Sequence, residues 1–316
     1  MTSSQRGDGR YPDFLVFGAP KCGTTSIYRW LDQHPEIYMS DKKEPHFFAY
    51  PPGETIDYRG PRDSEVVERM YVRDPAEYRG LFAGASGRRC GEASAMHLYY
   101  SGAARRAVEA QSDIRLVISL RDPVQRAFSN FLHLRRDGRE PIAGFEEALA
   151  AEERRIASDW MPIWHYTGLS HYAPQLVEVL RSVPREQVEI VIFEEVIETP
   201  RRALAELCEF IGVDSDFSFE LDVRRNRSGV PRSKVAHSLY EWMRWGEAVK
   251  GIVRSLLGRT WARQIKQRAV SWIEEKNLAR PSLDADTEEE LRRRFEDDIA
   301  FVERLLGRRV DAWRQG

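Results

Sequence analysis

The sequence has no long hydrophobic run: none of its 316 residues falls in a stretch approaching the ~18 consecutive apolar positions of a membrane-spanning helix. Its opening residues, MTSSQRGDGRYPD, lack the apolar core of a signal peptide. Cysteine is scarce. Cys22, Cys90 and Cys208 are widely spaced and odd in number, so they indicate neither a disulfide framework nor a metal cluster, and a reducing compartment fits best. An excess of charge of either sign is also missing. The formal net charge of −2 excludes a globally basic nucleic-acid binder while leaving room for a local basic patch. There are no internal repeats and no low-complexity tract. Lysine is rare as well: only seven of the 48 basic residues are lysines, a bias that suggests a GC-rich bacterial genome.

What is present is an ordinary globular composition, 42% hydrophobic and 31% charged, long enough for one large α/β domain or two small ones. Residues 1–12 read as a flexible polar tail, and 13–316 as one domain with an α/β core over 13–233 and a helical part over 234–316. FLVFG (14–18) is a short apolar strand, and TTSIYRWLDQH then carries Ile27, Trp30 and Leu31 at helical spacing. Residues 42–100 read as irregular, with a basic turn at GRRC. DIRLVISLRDP contains the clearest buried strand; Asp122 is a good N-cap, Pro123 suits a first helical turn, and the helix should run to about Arg136. QVEIVIFEEV reads as a third strand, followed by the helix TPRRALAELCEFIG, which ends at Gly212. From Lys234 the pattern is helical, broken around NLARPSLDAD. Strands alternating with helices predict a parallel sheet wrapped by helices, with a helical C-terminal extension.

The stretch GAPKCGTTS (18–26) follows the first strand directly. Backbone N–H groups of a glycine-framed turn, aimed by the next helix, form an anion nest. Lys21 adds a full charge, and Thr24, Thr25 and Ser26 add hydroxyl donors. Gly18 and Gly23 have the spacing of the triphosphate-binding loop G-x-x-x-x-G-K-[ST], but Thr24 stands where that loop has its lysine. Triphosphate enzymes also need an acid at a later strand end to hold Mg²⁺. Here the best strand ends at Arg121, which repels a metal and attracts an anion. Two anion sites, at Lys21 and Arg121, suggest a nucleotide phosphorylated at two separate places.

PKCGTTS and RDPVQRAFS together resemble the two cofactor signatures of the sulfotransferases that use PAPS (3′-phosphoadenosine 5′-phosphosulfate). The resemblance implies that Lys21, Cys22, Gly23, Thr24, Thr25 and Ser26 hold the 5′-phosphosulfate. It likewise implies that Arg121 and Ser129, eight residues apart, hold the 3′-phosphate. KEPHFF resembles the E-x-H-F-F segment of the glycosaminoglycan-type (heparan sulfate) members, whose glutamate is the catalytic base. Glu44 lies 23 residues after Lys21, close to that family's separation, and His46 matches the neighbouring histidine. GLSHYAPQL resembles the family's G-x-Y-x-x-x-L region imperfectly, since Gly168 and Tyr172 are four apart; Tyr172 is its cofactor candidate. RRNRSGVPRS resembles a loop that closes over the cofactor, giving Arg227, Ser228 and Gly229 as further contacts. The final helix has the look of bacterial members.

The resemblance implies in-line sulfonyl transfer without a bridging metal. Glu44 would be the base and Lys21 would stabilise the leaving phosphate. His46 is the alternative base, or orients Glu44, or binds the acceptor. The implied acceptor is a hydroxyl, ahead of an amine, of a carbohydrate, lipid or small natural product. A cytoplasmic bacterial enzyme is the expected setting. Trp160, Trp164, His165 and Tyr166 could line the acceptor site or simply pack in the core. Residues 234–270 hold eight basic against two acidic residues, a formal +6, interleaved with apolar ones. Such a face suits peripheral membrane contact, an acidic carrier, or pairing within the chain. The competing readings are an ATP-dependent kinase with an unusual loop and a catalytically silent nucleotide-binding protein.

Overall fold

The computed structural model describes residues 9–221, 230–231, 278–279 and 281–314. The expected cofactor contacts Arg227, Ser228 and Gly229, the basic stretch 234–270 and residues 1–8 of the expected tail lie outside the described residues. The chain begins with β1 (Phe14–Gly18), α1 (Thr24–Leu31), β2 (Ile37–Met39), α2 (Asp63–Met70), α3 (Pro75–Gly80) and β3 (Arg89–Ala93). It continues through α4 (Ala103–Ala110), β4 (Arg115–Leu120), α5 (Pro123–Arg136), α6 (Phe145–Ala150), α7 (Glu152–Ala157) and α8 (Tyr172–Ser182). Then come β5 (Val188–Ile192), α9 (Phe193–Glu198), α10 (Pro200–Ile211), a short antiparallel pair β6 (Val230–Pro231) and β7 (Leu278–Ala279), and finally α11 (Ala285–Arg294) and α12 (Glu296–Leu306).

Five strands form one parallel sheet in the order β2-β3-β1-β4-β5, so the first strand of the chain lies at its centre. Side chains alternate across a strand. In β1, Leu15 and Phe17 join one buried cluster, while Phe14 and Val16 join the other with Ile27, Leu204 and Leu207. A sheet covered on both faces needs crossover helices on both sides, which is what the α/β alternation supplies. Among the described residues no helix is long and apolar enough to cross a membrane.

Three sequence expectations need correction. Residues 42–100 are not irregular, for they contain α2, α3 and β3, and the GRRC turn leads straight into β3. β3 escapes detection because its centre requires a small residue: a Cβ on Gly91 would come within 2.4 Å of the Phe14 ring. The third expected strand is shorter, because the chain turns helical at Phe193. Finally, Tyr11, expected in the tail, packs its ring 6.2 Å from those of Phe47 and Tyr78.

Candidate active site

In a parallel sheet the strands all end on one edge, and ligands bind in the crevice outside those carboxyl ends. Each candidate group belongs to that edge. β1 leads into the glycine-framed loop, β2 into Glu44 and His46, β3 into Ser94, β4 into Arg121, and β5 into Glu194.

The loop 18–23 is fastened to β4. Ala19 N donates to Ser119 O (2.7 Å) and Ser119 Oγ donates to the Cys22 carbonyl (2.6 Å). Lys21 and Gly23 both have left-handed backbones, φ 72° and 79°. Gly23 also passes so close to Phe193 that a Cβ there would lie 2.5 Å from the ring. In the first turn of α1 Ser26 N donates to the Gly23 carbonyl (2.8 Å), and Gly23 provides no side-chain cap for the amides of Thr24 and Thr25. Burial pushes the Lys21 ammonium down to about 7, helped by the positive charges of Arg136, Arg121 and Lys43 and partly offset by Asp137. Such a crowd of cations beside a helix N-terminus is electrostatically suited to an anion. Cys22 is fully buried and its thiol lies 3.8 Å from the Tyr172 hydroxyl, so its side chain braces the loop from beneath.

Arg121 follows β4, and its Nη1 donates to the Lys21 carbonyl (3.4 Å), which ties the β4 end to the loop backbone. Its guanidinium lies 5.1 Å from the Phe193 ring centroid. Its Nε–H is buried with no hydrogen-bond acceptor among the described residues, Glu194 Oε1 being 4.0 Å away. Tyr172 is fully buried beneath it and donates to the Arg121 carbonyl (2.8 Å), which gives the tyrosine a bracing position. Asp122 caps α5 as expected, accepting from Gln125 N (2.9 Å). Ser129 sits within α5 and is almost wholly buried.

Glu44 and His46 both hold left-handed backbones, φ 56° and 49°, a costly conformation for residues with a Cβ that persists where neighbours impose it. Here β3 imposes it. Glu44 N donates to Ala93 O (3.0 Å), His46 N to Ser94 Oγ (3.0 Å), and Ala95 N to Glu44 Oε2 (2.9 Å). His46 Nε2 lies 3.5 Å from the same Glu44 oxygen. Burial pulls the His46 imidazole down to about 4, so near neutral pH this contact joins a neutral ring to a carboxylate. Beneath them Glu92 is fully buried; it accepts from Ser94 Oγ (2.8 Å) and from the Tyr78 hydroxyl (3.3 Å). Burial raises its carboxyl to about 8, with the nearby charge of Glu44 acting in the same direction.

Sequence reasoning missed Lys43, Glu92, Ser94 and Arg136. Lys43 was visible only as one charge in a charged turn, and Glu92 lies in the unrecognised strand. Of the aromatic group 160–166, Trp164 and Tyr166 are fully buried, and Trp164 Nε1 donates to Asp63 Oδ1 (2.9 Å). Tyr166 donates to Glu140, which is paired to Arg155 through two 2.8 Å contacts, so Trp164 and Tyr166 belong to a buried polar core. A separate cavity of about 260 Å³ adjoins His46 and is lined by Phe47, Tyr50, Pro51, Ile56, Tyr71 and Arg106 among others.

Fold and site together define an α/β protein with a glycine-framed, cation-lined loop after its central strand and a glutamate linked to the helix after that loop through Lys43. The chain belongs to the sulfotransferase family, whose pattern matches residues 12–217. It is 33% identical to a sulfotransferase from Alicyclobacillus acidocaldarius over 96% of this chain and 99% of that one, with a TM-score of 0.74. It is 26% identical to human carbohydrate sulfotransferase 15 over 64% of this chain and 44% of that protein. It is also 26% identical to human heparan sulfate glucosamine 3-O-sulfotransferase 3B1, over 66% and 48%. The chain thus spans less than half the length of these two curated relatives.

Proposed function

We propose that the protein transfers a sulfonyl group from PAPS to a hydroxyl of a carbohydrate-type acceptor, with adenosine 3′,5′-bisphosphate as the other product. The observation that carries this reading is the meeting of two unlike groups at one sheet edge. Lys21, Arg121 and the first turn of α1 gather positive charge at the ends of β1 and β4, and Glu44, which accepts from Ala95 N after β3, is linked to that turn through Lys43. The names of the two curated relatives support a glycan acceptor ahead of a lipid or another small molecule.

PAPS supplies an activated sulfonyl group on a phosphate leaving group. The loop amides, Thr24, Thr25 and Lys21 would bind the 5′ end. Arg121, through its unpartnered Nε–H, would bind the 3′-phosphate together with Ser129. Lys21 stabilises charge that develops on the departing phosphate, and such fixed charges in a partly dry site often account for several kcal/mol of barrier lowering. Glu44 takes the acceptor proton. His46, neutral at the working pH, fixes the Glu44 carboxylate through Nε2.

Calorimetric titration with adenosine 3′,5′-bisphosphate, beside ATP with and without Mg²⁺, tests the donor site. Tight binding of the bisphosphate with little response to ATP is expected. Preference for ATP with Mg²⁺ would overturn the reading in favour of a kinase. A screen of glycans with radiolabelled sulfonyl donor then identifies the acceptor.

A further inference from the structure

Lys43 has no role in the scheme above, yet it touches both halves of the site. Its Nζ donates to Thr25 Oγ1 in the first turn of α1, on the anion-binding side. The same Nζ lies 3.7 Å from Glu44 Oε1. The two oxygens of Glu44 therefore have separate surroundings. Oε2 is occupied by Ala95 N and faces His46, while Oε1, the oxygen towards the loop, is met by Lys43.

We propose that Lys43 is a further catalytic residue, which grips the sulfonyl group as it passes from the donor loop to the acceptor. This rests on the reading of the site as a sulfonyl-transfer centre. A group that leaves the Lys21 loop for an acceptor oxygen beside Glu44 must cross the space between Thr25 and Glu44, and the Lys43 ammonium bridges that space. An ammonium has three N–H donors and no acceptor. One is directed at Thr25, a second faces Glu44, and the third is left for a sulfonyl oxygen. Lysine, a compact charge on a flexible stem, suits an oxygen that moves during reaction better than a rigid guanidinium does. Burial lowers the Lys43 ammonium from its ordinary value, and the nearby charge of Glu44 opposes that shift.

The two lysines then divide the work. The sulfur–oxygen bond to the 5′-phosphate breaks, and its electron pair stays on the phosphate oxygen beside Lys21. The new sulfur–oxygen bond forms with the acceptor oxygen, whose proton goes to Glu44. Lys43 remains protonated throughout, holding the charge on the sulfonyl oxygens in place.

The test compares two ligands that differ only in the sulfonyl group, using full-length wild type, Lys43→Met, Lys43→Arg and Lys21→Met. Adenosine 3′,5′-bisphosphate should bind Lys43→Met only a few-fold more weakly than wild type, because Lys43 is one of several charges around the loop. PAPS, titrated without acceptor, should bind it ~10–100-fold more weakly, the range for loss of one charged hydrogen bond. Lys21→Met should weaken both ligands. Turnover of Lys43→Met should fall ~10²–10³-fold, with partial recovery in Lys43→Arg. Equal losses for both ligands in Lys43→Met, or wild-type turnover, would overturn the assignment. Failure of the wild type itself to bind the bisphosphate would instead strike the sulfotransferase reading, so the two failures are distinct. Matched melting temperatures for wild type and Lys43→Met separate these effects from misfolding.

Discussion

A lysine held near neutrality is a poor permanent cation and a good conditional one. With its ammonium down at about 7, Lys21 is charged below that pH in the free protein and largely neutral above it. A bound phosphate dianion favours the ammonium, so binding takes up a proton above about pH 7. Bisphosphate affinity should be flat below that point and fall by up to about tenfold per pH unit above it. Titrations from pH 6 to 9 check this, and Lys21→Met should remove the slope; a slope retained in the variant would place the titrating group elsewhere. Glu92 has the opposite sign. Its folded value of about 8 lies above the ordinary 4.5, so the folded state binds more protons between those values. Its contribution to stability is therefore fully present below about pH 4.5 and is lost as pH rises through 8. Glu92→Gln keeps the shape without the proton. Its melting temperature relative to wild type should climb steadily from pH 5 to pH 8.5, and parallel melting curves would refute the buried, protonated state.

Individual elements differ in how openly the sequence announces them. β1, β4 and α5 were legible because each is a local signal, an apolar run or a capped helix with apolar spacing, and α5 covers the expected Pro123–Arg136 span. The loop after β1 was legible for the same reason: glycine and lysine at fixed spacing report a backbone requirement within nine residues. β3 was not, since Arg-Cys-Gly-Glu-Ala answers to what lies across from it, the ring of Phe14. The contacts of Lys43 with Thr25 and of Ser94 with His46 join separate stretches of chain, and no local pattern encodes them. Gly23 tests the local kind of signal. Gly23→Ala forces a side chain into a left-handed backbone against Phe193, which should cost about 2–4 kcal/mol and abolish bisphosphate binding. Chemical denaturation and titration measure both effects, and an unchanged midpoint would mean that the loop adjusts freely.

Across the whole molecule, the last helices reach back to the site. Asp298 on α12 accepts from His171 Nδ1 and Ala173 N, both at 2.8 Å, and so fixes the start of α8. Arg292 on α11 donates to the Trp313 carbonyl (2.6 Å) and to Asp122 Oδ2 (3.5 Å). Trp313 Nε1 in turn donates to Glu194 Oε2 (3.0 Å), and the other Glu194 oxygen accepts from Asp122 N (3.2 Å). The turn that carries Arg121 is thus fastened by residues about 170 positions downstream. Asp298→Ala leaves two part-buried donors without their acceptor and should destabilise the fold by about 1–2 kcal/mol. Thermal and urea unfolding would show it, and retention of the wild-type midpoint would mean that α12 merely rests on α8.

The edge of the sheet has one more consequence. The groups of the proposed site come from five separate strand ends, each followed by its own connection. A lengthened or shortened connection after one strand leaves the register of the other four untouched. Under the proposed function, acceptor preference can therefore drift through the segments after β2 and β3 while the donor side, built after β1 and β4, is inherited intact. Divergence in this protein's lineage should be written in loop lengths before it is written in strands.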